Sequence, residues 1–154
     1  MSGRILKIVV PVVLVTAVVV AAYFWLSAEP PGDRQQIINA LTSAERAAER
    51  GSVSGLLHIV SNDYTDANDN NKRQLARLAR AALLEADWQV SVELHDLRIE
   101  EGAAFTEITA TVWPSGTPDV RQRYDMAVQW RKEGSSWRVV SSGGWQGARA
   151  DFFP

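Results

Sequence analysis

The sequence predicts an α+β domain in which three helices precede a curved, four-stranded antiparallel sheet, behind an N-terminal transmembrane helix. Three observations predict it. An uncharged apolar run lies near the N-terminus, apolar residues recur every three or four positions up to residue 86, and they alternate with polar residues after residue 87. Helices segregated from an antiparallel sheet define the α+β class. A length of 154 residues suits one such domain with an appendage.

The composition excludes several classes of protein. With no cysteine in the chain, a disulfide scaffold, a thiol nucleophile and a cysteine-ligated metal site are ruled out. The two histidines, His58 and His95, leave little for a metal site, so we expect no metal and no cofactor. The net charge of −2 argues against a nucleic-acid-binding protein that works through bulk positive charge.

The first residues predict a membrane anchor. Ile8–Ser27 carries no charge over 20 residues, which as a helix spans about 30 Å, the thickness of the hydrocarbon core. Arg4 and Lys7 precede it and predict a cytoplasmic N-terminus, with the following domain in the periplasm or another extracytoplasmic space. Trp25 closes it, as interfacial aromatic residues do. The alternative is a cleaved secretory signal peptide, which would export the same domain.

The chain is therefore predicted to have four parts. They are a transmembrane anchor over residues 1–27, a linker over 28–32, a folded domain over 33–145 and a C-terminal tail over 146–154. Two prolines stiffen the short linker, so we expect the domain to lie close to the membrane surface. The aromatic end of the tail either docks on the domain or a partner, or stays disordered.

Three helices are predicted between residues 33 and 86. We expect the first to start with Asp33 as its N-cap and to end at Gly51 as its C′ glycine. Its apolar stripe consists of Ile37, Leu41, Ala44 and Ala48. Ser52 is expected to cap a short second helix, and a polar loop follows over 61–71. The buried stripe expected for the third helix consists of Leu75, Leu78, Ala79, Ala82 and Leu83.

Two polar segments flank the start of the third helix. The loop from Asp66 begins like a calcium loop, but Asn71 replaces the required glycine and Arg77 the required glutamate, so we expect local Asx turns and no calcium site. The helix itself carries a basic side formed by Lys72, Arg73, Arg77 and Arg80. This side either contacts anionic lipid or an acidic partner, or is simply a solvated face.

Four antiparallel strands are predicted after Asp87. The first carries inward apolar residues on one parity up to Leu94, and on the other parity from Leu97. This change predicts a β-bulge at His95-Asp96, which would bend the strand. Turns are expected at 101–102, 114–119 and 133–135, and the clearest alternation runs over Val120–Lys132.

The stretch from Ile37 to Trp145 resembles the nuclear-transport-factor-2-like (NTF2-like) family, also called cystatin-like or SnoaL-like. The similarity rests on Glu49-Arg50-Gly51, on Ser61-Asn62-Asp63-Tyr64 and on the closing hairpin over 132–139. It implies a cone, in which the curved sheet wraps around the helices and leaves a cavity at its open end. The family includes isomerases, dehydratases, transport adaptors and scaffold subunits, so the resemblance implies no single activity.

The layout of the chain is also similar to that of known membrane proteins. One transmembrane helix followed by this fold resembles the bitopic scaffold subunits of type IV secretion machines. It also resembles the membrane proteins that accompany actinobacterial lipid-import complexes. No motif assigns the chain to either group.

No catalytic constellation is evident in the sequence. Isomerase-like members of the family use a tyrosine on the first helix, which this chain lacks. Dehydratase-like members pair a histidine with an aspartate, whereas His95 and Asp96 are adjacent and point apart on a regular strand. The candidate ligand-pocket residues are Tyr64, Tyr124, Met126, Trp130 and His95. The alternatives are a core role for the tyrosines and a rim position for His95.

Three functions follow from this pattern, in order of preference. The first is a membrane-anchored, extracytoplasmic interaction or scaffold domain, which has a protein partner or associates with itself. The second is a small-molecule or lipid-binding module that uses the cone. The third is an isomerase- or dehydratase-like enzyme, which requires at least two titratable groups to converge inside the cone.

Overall fold

The structure is a computed structural model that describes residues 31–144. The predicted anchor over 1–27, most of the linker and the tail over 146–154 lie outside the described residues. Within the described part of the chain, no helix has both the length and the apolar character needed to cross a membrane.

Three helices and one sheet make up the described residues. The helices are α1 (Asp33–Glu49), α2 (Val53–His58) and α3 (Lys72–Glu85). The strands are β1 (Trp88–Glu100), β2 (Ala103–Pro114), β3 (Gln122–Glu133) and β4 (Ser136–Gly143). All neighbouring strands pair antiparallel, in the order β1-β2-β3-β4. This confirms the predicted α+β class and its four-stranded meander.

The predicted signals at the junction of α1 and α2 are confirmed. Gly51 has a φ of 66°, a conformation that glycine adopts without strain, and its N–H bonds back to Ala48. The Ser52 hydroxyl then accepts the backbone N–H of Gly55 at 3.1 Å and caps α2. The two helices therefore meet at a tight, defined corner.

The prediction that Asp33 is the N-cap of α1 is wrong. Gly32 occupies that position and makes no side-chain cap, whereas Asp33 is the first helical residue. Its carboxylate accepts Lys132 Nζ at 2.6 Å and Trp137 Nε1 at 3.0 Å. The two strong donors of the β3–β4 hairpin thus hold the carboxylate, and they tie the start of α1 to the sheet.

The loop before α3 behaves as predicted. Asp66 Oδ1 accepts the backbone N–H groups of Asn68 and Asn70 at 2.8 and 2.9 Å, which is the expected Asx geometry. Asn71 and Gln74 form a capping box at the start of α3. The polar side chains of this segment therefore form hydrogen bonds with backbone groups of the same segment.

The core lies between α1 and the face of the sheet that α1 covers, called here the inner face. Its buried residues are Ile37, Val60, Tyr64, Ala104, Ile108, Val128, Trp130, Trp137 and Val139. In β3 the buried residues Val128 and Trp130 alternate with exposed ones, as the predicted period of two requires. The opposite side of the sheet is called the outer face.

The predicted β-bulge in β1 is present. Leu94 pairs with Ile108 and Asp96 pairs with Glu107, so His95 is an extra residue without a partner in β2. Without it, Leu94 and Leu97 would lie on opposite faces, because side chains alternate along a strand. With it, both leucines pack against the core.

The stripe predicted to be buried on α3 is only partly covered. Leu75 packs against the core, but Leu78 is 57% exposed and Ala82 is exposed as well. The prediction is wrong for these two residues because α3 packs chiefly against α2 and does not lie across the sheet. One side of α3 is left uncovered within the described residues.

The Asp33 contact predicts an acid-dependent stability. The hydrogen bond from Lys132, followed by that from Trp137, lowers the pKa of Asp33 below 3.8. The stabilisation is therefore complete above that value and is lost as the pH falls through the lowered pKa. We expect Asp33→Asn to lower the urea midpoint at pH 7 and to flatten its fall between pH 7 and about pH 3. The matched control is Asp119→Asn in the exposed β2–β3 connection, and equal acid sensitivity of Asp33→Asn and wild type would contradict the assignment.

Candidate functional site

Two of the five predicted pocket residues are part of the core. Tyr64 and Trp130 are 2% and 1% exposed. The Tyr64 hydroxyl bonds to Ser142 Oγ at 2.6 Å, and Trp130 Nε1 donates to Thr106 Oγ1 at 3.0 Å. Among residues 31–144, no buried side-chain nitrogen or oxygen lacks a partner. The space around these rings is thus filled, and their polar atoms are satisfied inside the protein.

Two further pocket residues lie on the inner face of β3, beyond the buried core. Tyr124 is half-buried and donates its hydroxyl to Gln122 Oε1 at 2.7 Å. Met126 is also half-buried and packs against the core cluster. The role of these two residues in binding a ligand stays a prediction.

The fifth pocket residue, His95, lies on the outer face. Its Nε2 is 2.7 Å from Thr109 Oγ1, and the Thr109 hydroxyl donates to Asp125 Oδ1 at 2.6 Å. Arg123 approaches both, with Nε 3.2 Å from Asp125 Oδ1 and an Nη atom 3.4 Å from Thr109 Oγ1. His95 thus takes part in a cross-strand network over β1, β2 and β3.

The Thr109 hydroxyl determines the direction of each hydrogen bond in this network. It has one proton, which goes to Asp125, so it must accept from His95 and Arg123. His95 therefore carries a proton on Nε2, and in the neutral imidazole Nδ1 is the free acceptor. Among the described residues, none bonds to Nδ1. The network thus presents an unoccupied imidazole nitrogen at the outer face.

The electrostatics of the network depend on Asp125. The hydrogen bond from Thr109, then that from Arg123, lowers the pKa of Asp125. The carboxylate is 71% exposed and the Arg123 side chain is 65% exposed, so water screens their ion pair. Thr109 differs from both, because its exposure is only 2%. A buried hydroxyl is therefore the fixed centre around which exposed charges are arranged.

These residues line an open cleft of about 600 Å³ on the outer face. Its wall is completed by the end of β4, at Gly143 and Gly144. Gly144 has a φ of 93°, and a Cβ there would overlap the carbonyl oxygen of Asp125. Only glycine permits this close approach of the two backbones. The cleft is thus lined by the buried Thr109 and, at the end of β4, by glycine residues that carry no side chain.

Among residues 31–144, the structure does not bring the candidate titratable groups His95, Asp96 and Asp125 together on the inner face. His95, Asp96 and Asp125 all lie on the outer face, where Asp96 pairs with Arg98 at 3.0 Å. Nor does the part of the chain described by the structure bring three histidine or acidic side chains together to hold a metal.

Sequence reasoning missed Thr109 and Arg123. Both stand at outward positions, where threonine and arginine are ordinary solvent-facing residues. The signal for His95 was the alternation of β1, since the residue that follows the inward Leu94 points outward. Thr109 lies opposite Asp125 because of the register between β2 and β3, and no local sequence pattern predicts that register.

Comparison with known proteins supports the fold. No protein-family model and no curated protein matches the sequence. A protein of unknown function with a cystatin-like fold from Nostoc punctiforme is 16% identical with a TM-score of 0.59, covering 71% of this chain and 87% of that one. An NTF2-like protein of unknown function from Shewanella oneidensis is 10% identical with a TM-score of 0.62, covering 71% and 95%.

A third similar structure carries a suggested activity. A candidate dehydratase of the NTF2-like family from Streptomyces avermitilis is 15% identical with a TM-score of 0.59, covering 73% of this chain and 95% of that one. At such identities the likeness shows the fold alone. The chain thus has an NTF2-like, cystatin-like α+β fold, as its sequence resemblance implied.

The core role of Tyr64 predicts a stability effect. Tyr64→Phe removes the buried bond to Ser142 and should lower the free energy of unfolding by about 1 kcal/mol. Tyr124→Phe is the matched control, and we expect it to stay within about 0.5 kcal/mol of wild type because Tyr124 is only half-buried. Urea unfolding monitored by circular dichroism measures both. Equal effects would show that the Tyr64 bond contributes nothing specific.

The network around Thr109 predicts a measurable change at Asp125. Thr109→Val removes the main donor to the carboxylate, so the pKa of Asp125 should rise towards its ordinary value of 3.8. A carboxyl-detected NMR titration measures it directly. Thr111→Val, on the same face of β2, is the matched control and should leave Asp125 unchanged. An unaltered Asp125 titration in Thr109→Val would contradict the bridging role.

Proposed function

We propose that this protein is a membrane-anchored, extracytoplasmic interaction or scaffold domain with an NTF2-like fold. The observation that supports this proposal best is the difference between the two faces of the sheet. The inner face holds a packed core whose polar groups are satisfied internally, whereas the outer face presents the cleft around Thr109. Groups able to engage another molecule therefore lie on the outside of the cone.

The outer face also has the composition of an interaction surface. Phe105 is 37% exposed, and Ala127 is exposed beside Gly143 at the edge of the cleft. Charged residues such as Arg98 and Arg131 surround these apolar positions. Apolar patches framed by charge are typical of protein interfaces. We propose a protein partner or a second copy of the chain as the occupant.

The anchoring part of the proposal rests on the sequence. The uncharged run Ile8–Ser27 is long enough to cross a bilayer, and its basic flank favours a cytoplasmic N-terminus. The domain would then be held on the extracytoplasmic side of the membrane by a linker of five residues, 28–32. Confinement near one membrane raises the effective concentration of partners held in the same way.

A small-molecule site is the second candidate function. One observation favours it, because the outer cleft of about 600 Å³ falls within the range of roughly 300–1,000 Å³ that ligand pockets occupy. The free Nδ1 of His95 and the Arg123 guanidinium would orient a polar ligand there. A ligand in the cone itself would depend on Tyr124 and Met126, since Tyr64 and Trp130 belong to the core.

The test is the composition of the full-length protein taken from its native membrane. We expect an assembly larger than a monomer by native mass spectrometry in mild detergent. Ala127→Arg places a charge at the edge of the outer cleft and should release most of the protein as monomer. Ser43→Arg, on the exposed side of α1, is the matched control and should leave the assembly intact.

Two outcomes would contradict the proposal. A wild-type monomer without a bound molecule would remove the interaction function. A monomer that carries a stoichiometric small molecule would replace it with the second candidate. Extraction of the membranes with alkaline carbonate tests the anchor separately, because an anchored chain stays in the pellet.

A further inference from the structure

The uncovered side of α3 carries a row of three arginines. Arg73, Arg77 and Arg80 follow at spacings of four and three, which places them on one face of the helix. All three are exposed, and none forms an ion pair within residues 31–144. Like charges at these spacings repel each other. The row is therefore a concentration of positive charge that the described part of the chain does not neutralise.

Apolar side chains accompany the arginines. Leu84 stands four residues after Arg80, on the same side of the helix, and is 81% exposed. Leu78, which points about 100° around the helix from Arg77, is 57% exposed. No acidic residue occurs in α3 before Glu85. Arginine with exposed leucine fits the interface of an anionic bilayer, where guanidinium groups bind phosphates and leucine enters the headgroup layer.

The position of α3 in the domain agrees with such a contact. Trp137 of β4 holds the start of α1 through Asp33 at 3.0 Å. Two residues along, Val139 bridges to Val60, whose carbonyl oxygen accepts Lys72 Nζ at 2.7 Å. The side chain at the start of α1 thus contacts Trp137, and the side chain at the start of α3 contacts the residue that bridges to Val139, two positions further along the same strand. The linker over 28–32 reaches at most about 18 Å, at 3.6 Å per residue.

We propose that the exposed face of α3 docks on the anionic phospholipid headgroups of the membrane that holds the anchor. The inference rests on the anchoring given under the proposed function, and it adds a defined orientation of the domain on the bilayer. The occupant is a lipid surface rather than an acidic protein, because the exposed leucines, the arginine row and the short tether all match a membrane at close range.

The test uses the absence of cysteine from the chain. A single cysteine introduced by Ala81→Cys, on the exposed side of α3, carries an environment-sensitive fluorophore. The labelled full-length protein is reconstituted into nanodiscs of phosphatidylcholine with or without about 30% phosphatidylglycerol. We expect a blue shift only in the anionic discs, and its reversal at about 1 M salt, where the Debye length is about 3 Å. The control, Ser43→Cys on α1, should show no shift.

Charge-reversal variants test whether the arginine row causes the spectral shift. Arg77→Glu with Arg80→Glu should abolish the shift, whereas Arg46→Glu with Arg50→Glu makes the same change in net charge at the C-terminal end of α1 and should preserve it. Circular dichroism confirms that each variant folds. A shift that survives reversal in α3, or one equal in neutral discs, overturns the proposal. So does crosslinking from position 81 in native membranes that yields a single protein product, because the partner is then an acidic protein.

The experiment separates this inference from the anchoring on which it rests. A chain retained after carbonate extraction but without a spectral shift leaves the anchor in place and overturns the docking. A chain released by carbonate overturns the anchor. The docking is then judged on anionic vesicles added to the released protein, where a shift at position 81 supports it and the absence of a shift overturns it.

Discussion

One extra residue in β1 determines which side chains of that strand reach the core. Because His95 has no partner in β2, the inward parity of β1 is reset, and Leu94 and Leu97 both reach the core. A regular strand would send one of them into water, since its side chains alternate. Because Leu94 points inward, alternation alone turns His95 to the outer face, where it meets Thr109, and the insertion keeps Asp96 on that face as well. The inward packing of both leucines and the outward position of Asp96 thus have a common origin.

The interior and the exterior of this fold have different chemical roles. Inside, aromatic rings fill the volume, and each indole or hydroxyl has a partner within the protein, as the Trp130–Thr106 pair illustrates. Outside, a buried hydroxyl organises groups that remain accessible to solvent. Tyr64 and Trp130 thus belong to the core on the inner face, whereas the cleft around Thr109 is open to solvent on the outer face.

Local signals predicted the parts of this fold that depend on neighbouring residues. Gly51 and Ser52 marked the corner between α1 and α2, and the change of parity marked the bulge. Asp33 was misassigned because a helix-capping aspartate and one held by a distant lysine look alike in sequence. The hydrogen-bond network at Thr109 could not be predicted either, because its residues are far apart in the sequence. It depends on the register of three strands, which the length of the β2–β3 connection and the packing of the core decide together.

The bond between Asp33 and the β3–β4 hairpin also has a mechanical consequence. Any tension applied through the chain ahead of Gly32 reaches the first turn of α1, where Lys132 and Trp137 hold the carboxylate. The pull is thereby shared with the last two strands of the sheet before it can unwind the helix. A domain built in this way resists unwinding from the start of α1, because the load is shared with the β3–β4 hairpin.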